Sequence, residues 1–462
     1  MTRLLRAPRP VRNPETSDEE GDIPPPRWSL PTRIAFRFFL VYVVLFFLSE
    51  SRIMYALVGV FGSELPVDAQ TRQYHTVRPI VTWVAEHLLH VEAPLIEPVL
   101  SGDQAFFWVL ALCWFLAALL VTVVWTALDR QRPHHETLFK WFFVVVRMCL
   151  AAQLFTFGFA KVFPLQMSLP LTRLVEPFGD FGMQNVLWTQ VGSSQPYEIL
   201  LGCAEVTAGL LLVVPRTALL GALLAAIEMT QVLVLNFTYQ VPVKLFTFHL
   251  LLLSLILVAP HAMRLAAFFV SDQGVGPVAR PQLFRTRRAL RLALAGQLLF
   301  GGWLAASQVH EDWKRWDVVG TSGPKPPLYG IWNVVKFTSD GQDRPPLTTD
   351  VERWNRFIVD TMHPYQPGPV SSQRMDGSIV DYAATFAPAK RAIMLARVGD
   401  PAWSGRLTFA RPTGDKLTLD GVLGKEKVHI ELEKVDIDSF PISRDGTRWV
   451  QDMPYAPRLQ PR

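Results

Sequence analysis

Long apolar runs alternate with short charged loops over the first two thirds of the chain. A helix that crosses a bilayer needs about 20 mostly apolar residues, and seven segments come close to this length. They are 33–49, 105–128, 141–163, 196–214, 217–236, 244–260 and 289–306. Only Pro215 and Arg216 separate the fourth segment from the fifth, which predicts a tight helical hairpin. The pattern therefore predicts an α-helical polytopic membrane bundle of about seven spans.

Three further segments, 53–62, 76–100 and 262–271, are apolar but short or interrupted. Within 76–100, the polar residues of the stretch Thr82–His90 recur at helical spacing. This pattern favours an interfacial or re-entrant helix. A full crossing there would invert every later orientation, so we expect none.

The last third of the chain changes to short runs of alternating polar and apolar residues, which predict β-strands. Turn signals such as Asp340-Gly341 and Asp420-Gly421 separate the runs. The runs are Tyr329–Phe337, Ser378–Ala387, Ala392–Val398, Arg406–Ala410, Lys416–Leu419 and Lys427–Val435. Many short strands at this spacing predict a β-rich C-terminal domain, which is an antiparallel meander, barrel or sandwich.

The motif Gly330-x-Trp332, together with Arg448 near the chain end, is similar to a pair found in lipocalin-like barrels. In those barrels the Trp plugs the floor and the Arg covers it. The motif leaves two interpretations open, a barrel filled by core side chains and a barrel with a ligand-binding cavity.

These changes of pattern divide the chain into four parts. We expect a disordered cytoplasmic tail over 1–32, a transmembrane helical domain over 33–306, a linker over 307–327 and an extracytoplasmic β-rich domain over 328–462. The tail has no apolar core or small-residue cleavage site ahead of the first span. That span is therefore expected to remain as an anchor.

The loop charges predict an orientation, because Lys and Arg concentrate in cytoplasmic loops. With the N-terminus inside, the loops 129–140 and 261–288 and Arg216 are all cytoplasmic. The outside loops then keep only four cations, Arg52, Arg72, Arg78 and Arg173. We expect a multi-pass protein of the cytoplasmic (inner) membrane whose C-terminal domain is extracytoplasmic.

Composition supports a membrane protein and excludes other classes. Charged residues make up 18% of the chain, against about 25% in soluble proteins. The net charge of +5 comes without a basic cluster interleaved with aromatics, so no nucleic-acid partner is expected. The three cysteines, Cys113, Cys149 and Cys203, fall in apolar helices and are interpreted as packing residues. No metal-ligand spacing is present, and His363 and His429 are expected to stand alone on the surface.

Charged groups inside a bilayer are costly unless they are paired, so each is a functional candidate. Arg147 and Lys161 are 14 residues apart on the third span, nearly four helical turns, and so share one face. One interpretation pairs Arg147 with Glu205 or Glu228 as a structural bridge.

The other interpretation is a polar pocket toward the outer third of the membrane, with Lys161 and His249 as its proton-active groups. Snorkelling of Lys161 and Lys244 to the interface competes with this interpretation. The full set of candidate ligand-binding residues is Lys161, Lys244, His249, Glu205, Arg147, Asn236 and Tyr239.

Three motifs, Arg147-x-x-Leu150-Ala151, Gly158-x-x-Lys161 and Gly202-x-x-Glu205, follow one another on two successive predicted helices. This order resembles the DoxX-like membrane proteins over roughly 140–260. Leu235–Leu245, Pro327–Trp332 and Arg448–Tyr455 extend the likeness to a longer bacterial subgroup of that family.

Some DoxX-like members are similar to a subunit of thiosulfate:quinone oxidoreductase, so the resemblance implies a quinone-linked role. The sequence shows no flavin, haem or iron–sulfur motif. The leading hypothesis is therefore a membrane subunit or accessory of a redox system that binds an isoprenoid quinone or similar lipid between the third and sixth spans. Membrane lipid and a redox partner protein would be its partners.

Two alternatives remain. One is a non-enzymatic membrane scaffold whose β-domain binds a partner protein or lipid. The other is a vitamin K carboxylase-like membrane enzyme with a lysine base. It rests on an architectural analogy, because those proteins also join a helical membrane domain to a β-rich domain.

Overall fold

The computed structural model describes residues 28–62, 69–270, 283–320, 323–361 and 368–444, together with 446, 449 and 450. Helices fill its first part and strands its second, which confirms the helical bundle followed by a β-rich domain. Most of the predicted tail, residues 1–27, lies outside the described residues.

The described helices fall into long spans and short connecting pieces. They are α1 (Leu30–Ser49), α2 (Ser51–Val58), α3 (Ala69–Val84), α4 (Ala105–Leu128), α5 (Glu136–Val162), α6 (Met183–Gly192), α7 (Gln195–Val213), α8 (Ala218–Thr238), α9 (Lys244–Val258), α10 (Ala262–Val270), α11 (Arg287–Val319) and α12 (Pro441–Arg444).

Seven described helical segments are long and apolar enough to cross a membrane: α1, α4, α5, α7, α8, α9 with its continuation α10, and α11. All seven predicted spans are thus present as helices. The hairpin at Pro215-Arg216 is also confirmed, because α7 ends at Val213 and α8 begins at Ala218. This arrangement indicates a multi-pass membrane protein.

The two short helices α2 and α3, which lie between α1 and α4 in the chain, pack into the bundle. In α2, Ile53 is fully buried. The helix α3 continues as a π-helical turn, Ala85–Leu89, and buries Val81 and Ala85 in the same core. At 16 residues with an internal Pro79, α3 is not among the helices able to span a membrane.

The helix α11 runs further than its hydropathy predicts. The expected span ended at 306, but the helix continues to Val319, so the first part of the predicted linker is helical. Gln308 accepts a hydrogen bond from Thr156 of α5 at 3.2 Å and donates one to Asp312 at 2.8 Å. These polar contacts hold the extension, which a search for apolar residues could not detect.

The C-terminal domain is an eight-stranded antiparallel barrel. The strand order runs from β1 through β3 to β9, and pairing of β9 with β1 closes the barrel, while the two-residue β2 adds only to β1. The strands are β1 (Gly330–Ser339), β2 (Gln342–Asp343), β3 (Trp354–Val359), β4 (Val370–Arg374), β5 (Ile379–Ala387), β6 (Ala392–Arg397), β7 (Asp400–Ala410), β8 (Lys416–Leu423) and β9 (Glu426–Lys434).

All six predicted strands are present, but β3 and β4 were missed. Both strands are buried on two faces over most of their length, so their side chains do not alternate between polar and apolar. A pattern of period two is found only where one face meets water.

Side chains fill the end of the barrel at Trp332, which is fully buried and donates its indole N–H to Leu328 O at 2.8 Å. The side chains of Arg411 and Lys434 lie over the indole ring, 5.6 and 5.9 Å from its centroid. Arg448, the cation expected to cover the ring, lies outside the described residues.

A segment between α5 and α6 docks on the outer wall of the barrel. Leu171 packs against Ile331 of β1 and Ile358 of β3, and both isoleucines are fully buried. Two hydrogen bonds fix the contact: Leu171 N–H donates to Asp360 Oδ2, and Gln373 Nε2 donates to Val175 O, each at 2.7 Å. The cover explains why β3 and β4 are buried on two faces.

Candidate functional site

A buried ion pair joins α5 to α7. Lys161 Nζ lies 2.8 and 3.0 Å from the two carboxylate oxygens of Glu205, and both side chains are buried. The helices approach closely because Gly158 faces Gly202, where an added Cβ would lie 2.5 Å from Gly158 O. The Gly-x-x-Lys and Gly-x-x-Glu motifs therefore build one contact.

Arg147 does not pair with Glu205 or Glu228, so the predicted structural bridge is wrong. Its guanidinium donates to Leu212 O and Val213 O at 2.9 Å and to Gln297 Oε1 of α11 at 3.2 Å. The last carbonyls of a helix lack partners within the helix. Arg147 donates hydrogen bonds to these carbonyls of α7, because it lies level with the end of α7 and far from Glu205.

Lys244 belongs to a second group of polar side chains, together with Glu50, Arg52, Tyr74 and Asp103. Asp103 caps the start of α9 by accepting from the backbone N–H groups of Lys244 and Leu245 at 2.9 Å. Arg52 pairs with Glu50 at 2.7 Å and lies over the ring of Phe246.

His249 lies in an aromatic box between α1, α4 and α9. Its Nδ1 is 2.7 Å from Leu245 O, which can only accept, so Nδ1 donates. In the neutral ring Nε2 then accepts from Tyr42 Oη at 2.8 Å. Phe46 stacks on the imidazole and Trp114 meets it edge-on, with centroids 4.4 and 5.7 Å away.

Asn236 and Tyr239 take up structural positions at the end of α8. Asn236 Nδ2 donates to Thr247 Oγ1 at 2.9 Å, and Tyr239 packs beside Val241 in a small apolar cluster. The seven candidate residues therefore divide among several separate contacts. The prediction of one polar pocket formed by Lys161, Lys244 and His249 is not supported by these contacts.

A cation that sequence reasoning missed lies at the opposite end of the bundle. Arg37 of α1 is 1% exposed and donates to Thr126 Oγ1, to Asp129 and to the ring of His135. Burial, together with the charge of Arg37, lowers the pKa of His135. The signal was available, because Arg37 interrupts the first apolar run.

That end of the bundle also collects the cationic loops. Trp28 N–H donates to Pro133 O at 3.0 Å, and Trp141 meets Phe284 edge-on, so the starts of α1, α5 and α11 lie together. The docked barrel lies at the opposite end of α5 and α11.

An apolar groove of about 640 Å³ runs between α5 and α11. We term it the α5–α11 groove. Trp141, Met148 and Leu292 are among its walls, and its polar lining residue is Gln297, the partner of Arg147. A second apolar groove, of about 720 Å³, lies between α1, α5 and α9 beside His134 and Glu136.

The barrel has a cavity of about 450 Å³ at the end away from Trp332. Phe337, Trp354 and Trp403 line it, and charged side chains including Arg344 and Glu426 surround them. Among the described residues, no group of three or more His, Cys, Asp or Glu side chains is placed to hold a metal ion.

Comparison with known proteins finds a relative whose own function is not described. No family model matches the chain, and no solved structure matches it. Over 111 residues the chain is 32% identical to a Bacillus subtilis (strain 168) protein described as "Uncharacterized protein YwoB". The alignment covers 24% of this chain and 71% of YwoB.

Proposed function

The chain belongs to the same family as YwoB, and we propose from its own geometry that it is a DoxX-like membrane protein that binds an isoprenoid quinone or a similar lipid. It would serve as a membrane subunit or accessory of a redox system. The description of YwoB assigns no activity, so the support comes from the contacts of this chain.

The α5–α11 groove is the observation that carries the proposal. Ligand sites are mostly apolar clefts of about 300–1,000 Å³ with a few polar groups that fix orientation. The groove has this volume and is lined by aliphatic and aromatic side chains, as an isoprenoid tail requires. Its polar end is Gln297, held by Arg147.

Arg147 also gives the groove an electrostatic role. A fixed cation near a ligand oxygen stabilises negative charge that develops there. The sequence predicts Lys161 for this role, but Lys161 is paired with Glu205. Arg147 is the DoxX-type residue adjacent to the groove.

The arrangement of charges supports the cytoplasmic membrane and an N-terminus inside. The loops around Arg132 and Arg288 lie at the end of the bundle opposite the barrel, and cationic loops stay cytoplasmic. The barrel would then be extracytoplasmic and available to a partner protein.

Two glycines of α11 allow a matched test of the groove. Gly296 lines it, whereas Gly302 does not, and an added Cβ meets nothing within 4 Å at either position. We expect Gly296→Leu to fill the groove and Gly302→Leu to leave it open. The measurement is mass spectrometry of lipids extracted from each purified protein in mild detergent.

A stoichiometric isoprenoid quinone or single lipid species in the wild type and in Gly302→Leu, lost in Gly296→Leu, would support the proposal. Only bulk phospholipid in all three proteins would contradict it. Equal retention by both variants would place the ligand elsewhere.

A scaffold is the second candidate function, and the barrel cavity beside Trp403 favours it. This hypothesis predicts that residues 320–462, detached from the bundle, bind the partner protein or lipid alone. Failure of the folded domain to bind a partner that the full chain retains would count against it. The carboxylase-like alternative gains no support, because Lys161 donates to both oxygens of Glu205 and is not free to act as a base.

A further inference from the structure

Glu228 of α8 is a carboxylate without a partner inside the bundle. Both of its oxygens are buried, and neither has a hydrogen bond among the described residues. An ionised carboxylate in an apolar interior costs several kcal/mol unless it is paired. Something other than an ion pair must therefore compensate this group.

The neighbours of Glu228 place it beside an ion pair that is already complete. Lys161 and Glu205 are near enough for both charges to act on Glu228. The Lys161 ammonium, however, lies 2.8 and 3.0 Å from the two oxygens of Glu205. One lysine thus faces two carboxyl groups and neutralises only one.

A third carboxyl group adds to this imbalance. Glu198 is 1% exposed, accepts from Met167 N–H through one oxygen, and has no hydrogen bond to the other among the described residues. Lys161 acts on Glu198 as well. If Glu198, Glu205 and Glu228 were all ionised, one cation would face three anions inside the bundle.

Three other cationic groups in the described part of the bundle have partners of their own and do not relieve the imbalance. On α9, which packs against α8, Lys244 pairs with Asp103, and His249 is engaged by Tyr42 and Leu245 O. Arg147 caps the end of α7. A bound metal ion does not fit either, since no group of three described ligands is placed to hold one.

We propose that Glu228, Glu205 and Lys161 form a proton-binding site inside the membrane domain. The two carboxyl groups share one proton. The proton is on Glu228 when Lys161 pairs with Glu205, as in this structure, and on Glu205 when Lys161 turns to Glu228. Each arrangement keeps one ion pair and one neutral acid, and no covalent bond changes.

The site is separate from the proposed ligand groove. Neither Glu228 nor Lys161 lines the α5–α11 groove, and Gly296→Leu touches neither. Loss of lipid in that variant and loss of the proton in this cluster are therefore independent results.

The test uses N,N′-dicyclohexylcarbodiimide, an apolar reagent for protonated carboxyl groups. The carboxyl oxygen adds to the central carbon, the acid proton passes to a nitrogen, and rearrangement leaves a stable acylurea. We expect the full-length protein in detergent to gain this adduct at Glu228, located by peptide mass spectrometry. Glu228→Gln should lose it, and Glu198→Gln should keep it.

The variant Glu205→Gln tests directly whether the two carboxyl groups share one proton. The substitution frees Lys161 to pair with Glu228, which then ionises, so labelling should fall to the level of Glu228→Gln although Glu228 is still present. Lys161→Met removes the cation that could ionise Glu228, so labelling should persist. Undiminished labelling in Glu205→Gln would overturn the shared proton.

Infrared spectroscopy detects the protonated carboxyl group without a reagent. It therefore tests the proposal even if the carbodiimide cannot reach the site or if Glu205→Gln fails to fold. The wild type should show the C=O stretch of a protonated carboxylic acid at neutral pH, and Glu228→Gln should lose intensity there. No difference between these two proteins would show that Glu228 is ionised and would overturn the proposal.

Discussion

At the scale of single residues, Arg37 is the most heavily engaged cation described in the bundle. It ties α1 to the turn between α4 and α5 through Thr126, Asp129 and His135. Removing one partner from a buried charged network leaves the others unsatisfied and costs about 3–5 kcal/mol. We therefore expect Arg37→Met to lower the free energy of unfolding by about 3 kcal/mol.

Lys140→Met is the matched control, because it also converts a cation to methionine at the same end of the bundle. Lys140 pairs with Glu136 one turn away, and helix pairs of this kind contribute about 0.3–0.5 kcal/mol. Denaturant unfolding of the purified proteins in detergent measures the change in the free energy of unfolding for both variants. Equal losses in the two variants would show that the Arg37 contacts add nothing specific.

Residue-scale partners were the least predictable part of the candidate site. The sequence identified Arg147, Lys161 and Glu205 as unusual, because charges are rare inside spans. It could not pair them, since pairing depends on how far each helix slides along its neighbour. Arg147 lies level with Val213 at the end of α7, eight residues beyond Glu205.

At the scale of elements, β8 and β9 are joined by a pair that titrates. Asp420 lies directly opposite His429, and the side chains meet at 2.6 Å, so His429 does not stand alone as expected. The hydrogen bond to Asp420, aided by Glu431, raises the pKa of His429. A raised pKa means that the folded barrel binds this proton more tightly than the unfolded chain does.

The stabilisation is therefore complete below the unfolded pKa of about 6.5. It is lost as the pH rises through the higher folded value. Thermal unfolding should show His429→Gln less stable than the wild type at acidic pH and equal to it at alkaline pH. The difference is small, because both side chains are partly exposed and screened by solvent. A gap that stays constant with pH would contradict the assignment.

Element boundaries were predictable where one physical constraint sets the pattern. Bilayer thickness fixes the length of a span, so all seven were found, and water on one face gives strands such as β8 their alternation. The constraint fails where a second surface covers the element. Ile358 in β3 is buried from outside by Leu171, and Asp312 in α11 is polar yet helical.

At the scale of the whole molecule, the barrel is not an independent body on a tether. Detaching residues 320–462 would uncover Ile331 and Ile358, which the segment at Leu171 keeps fully buried. We expect the detached domain to self-associate in light scattering, because an exposed apolar wall favours association.

Ile331→Thr and Ile358→Thr should restore a monomer, since threonine keeps the β-branch and removes the apolar end. The double variant is the form in which partner binding by the barrel is best measured. If the double variant still self-associates, the surface that drives association is not the wall at Ile331 and Ile358.

The hydrogen bonds between the barrel and the bundle use main-chain atoms on one side and side chains on the other. In the two described bonds, the bundle side contributes main-chain atoms, the Leu171 N–H and the Val175 carbonyl, while the barrel supplies the side chains of Asp360 and Gln373. Main-chain atoms survive almost any substitution. The sequence of the segment can therefore change during evolution without loss of these two bonds. Substitution of Asp360 or Gln373, in contrast, removes a bond that holds the barrel against the bundle.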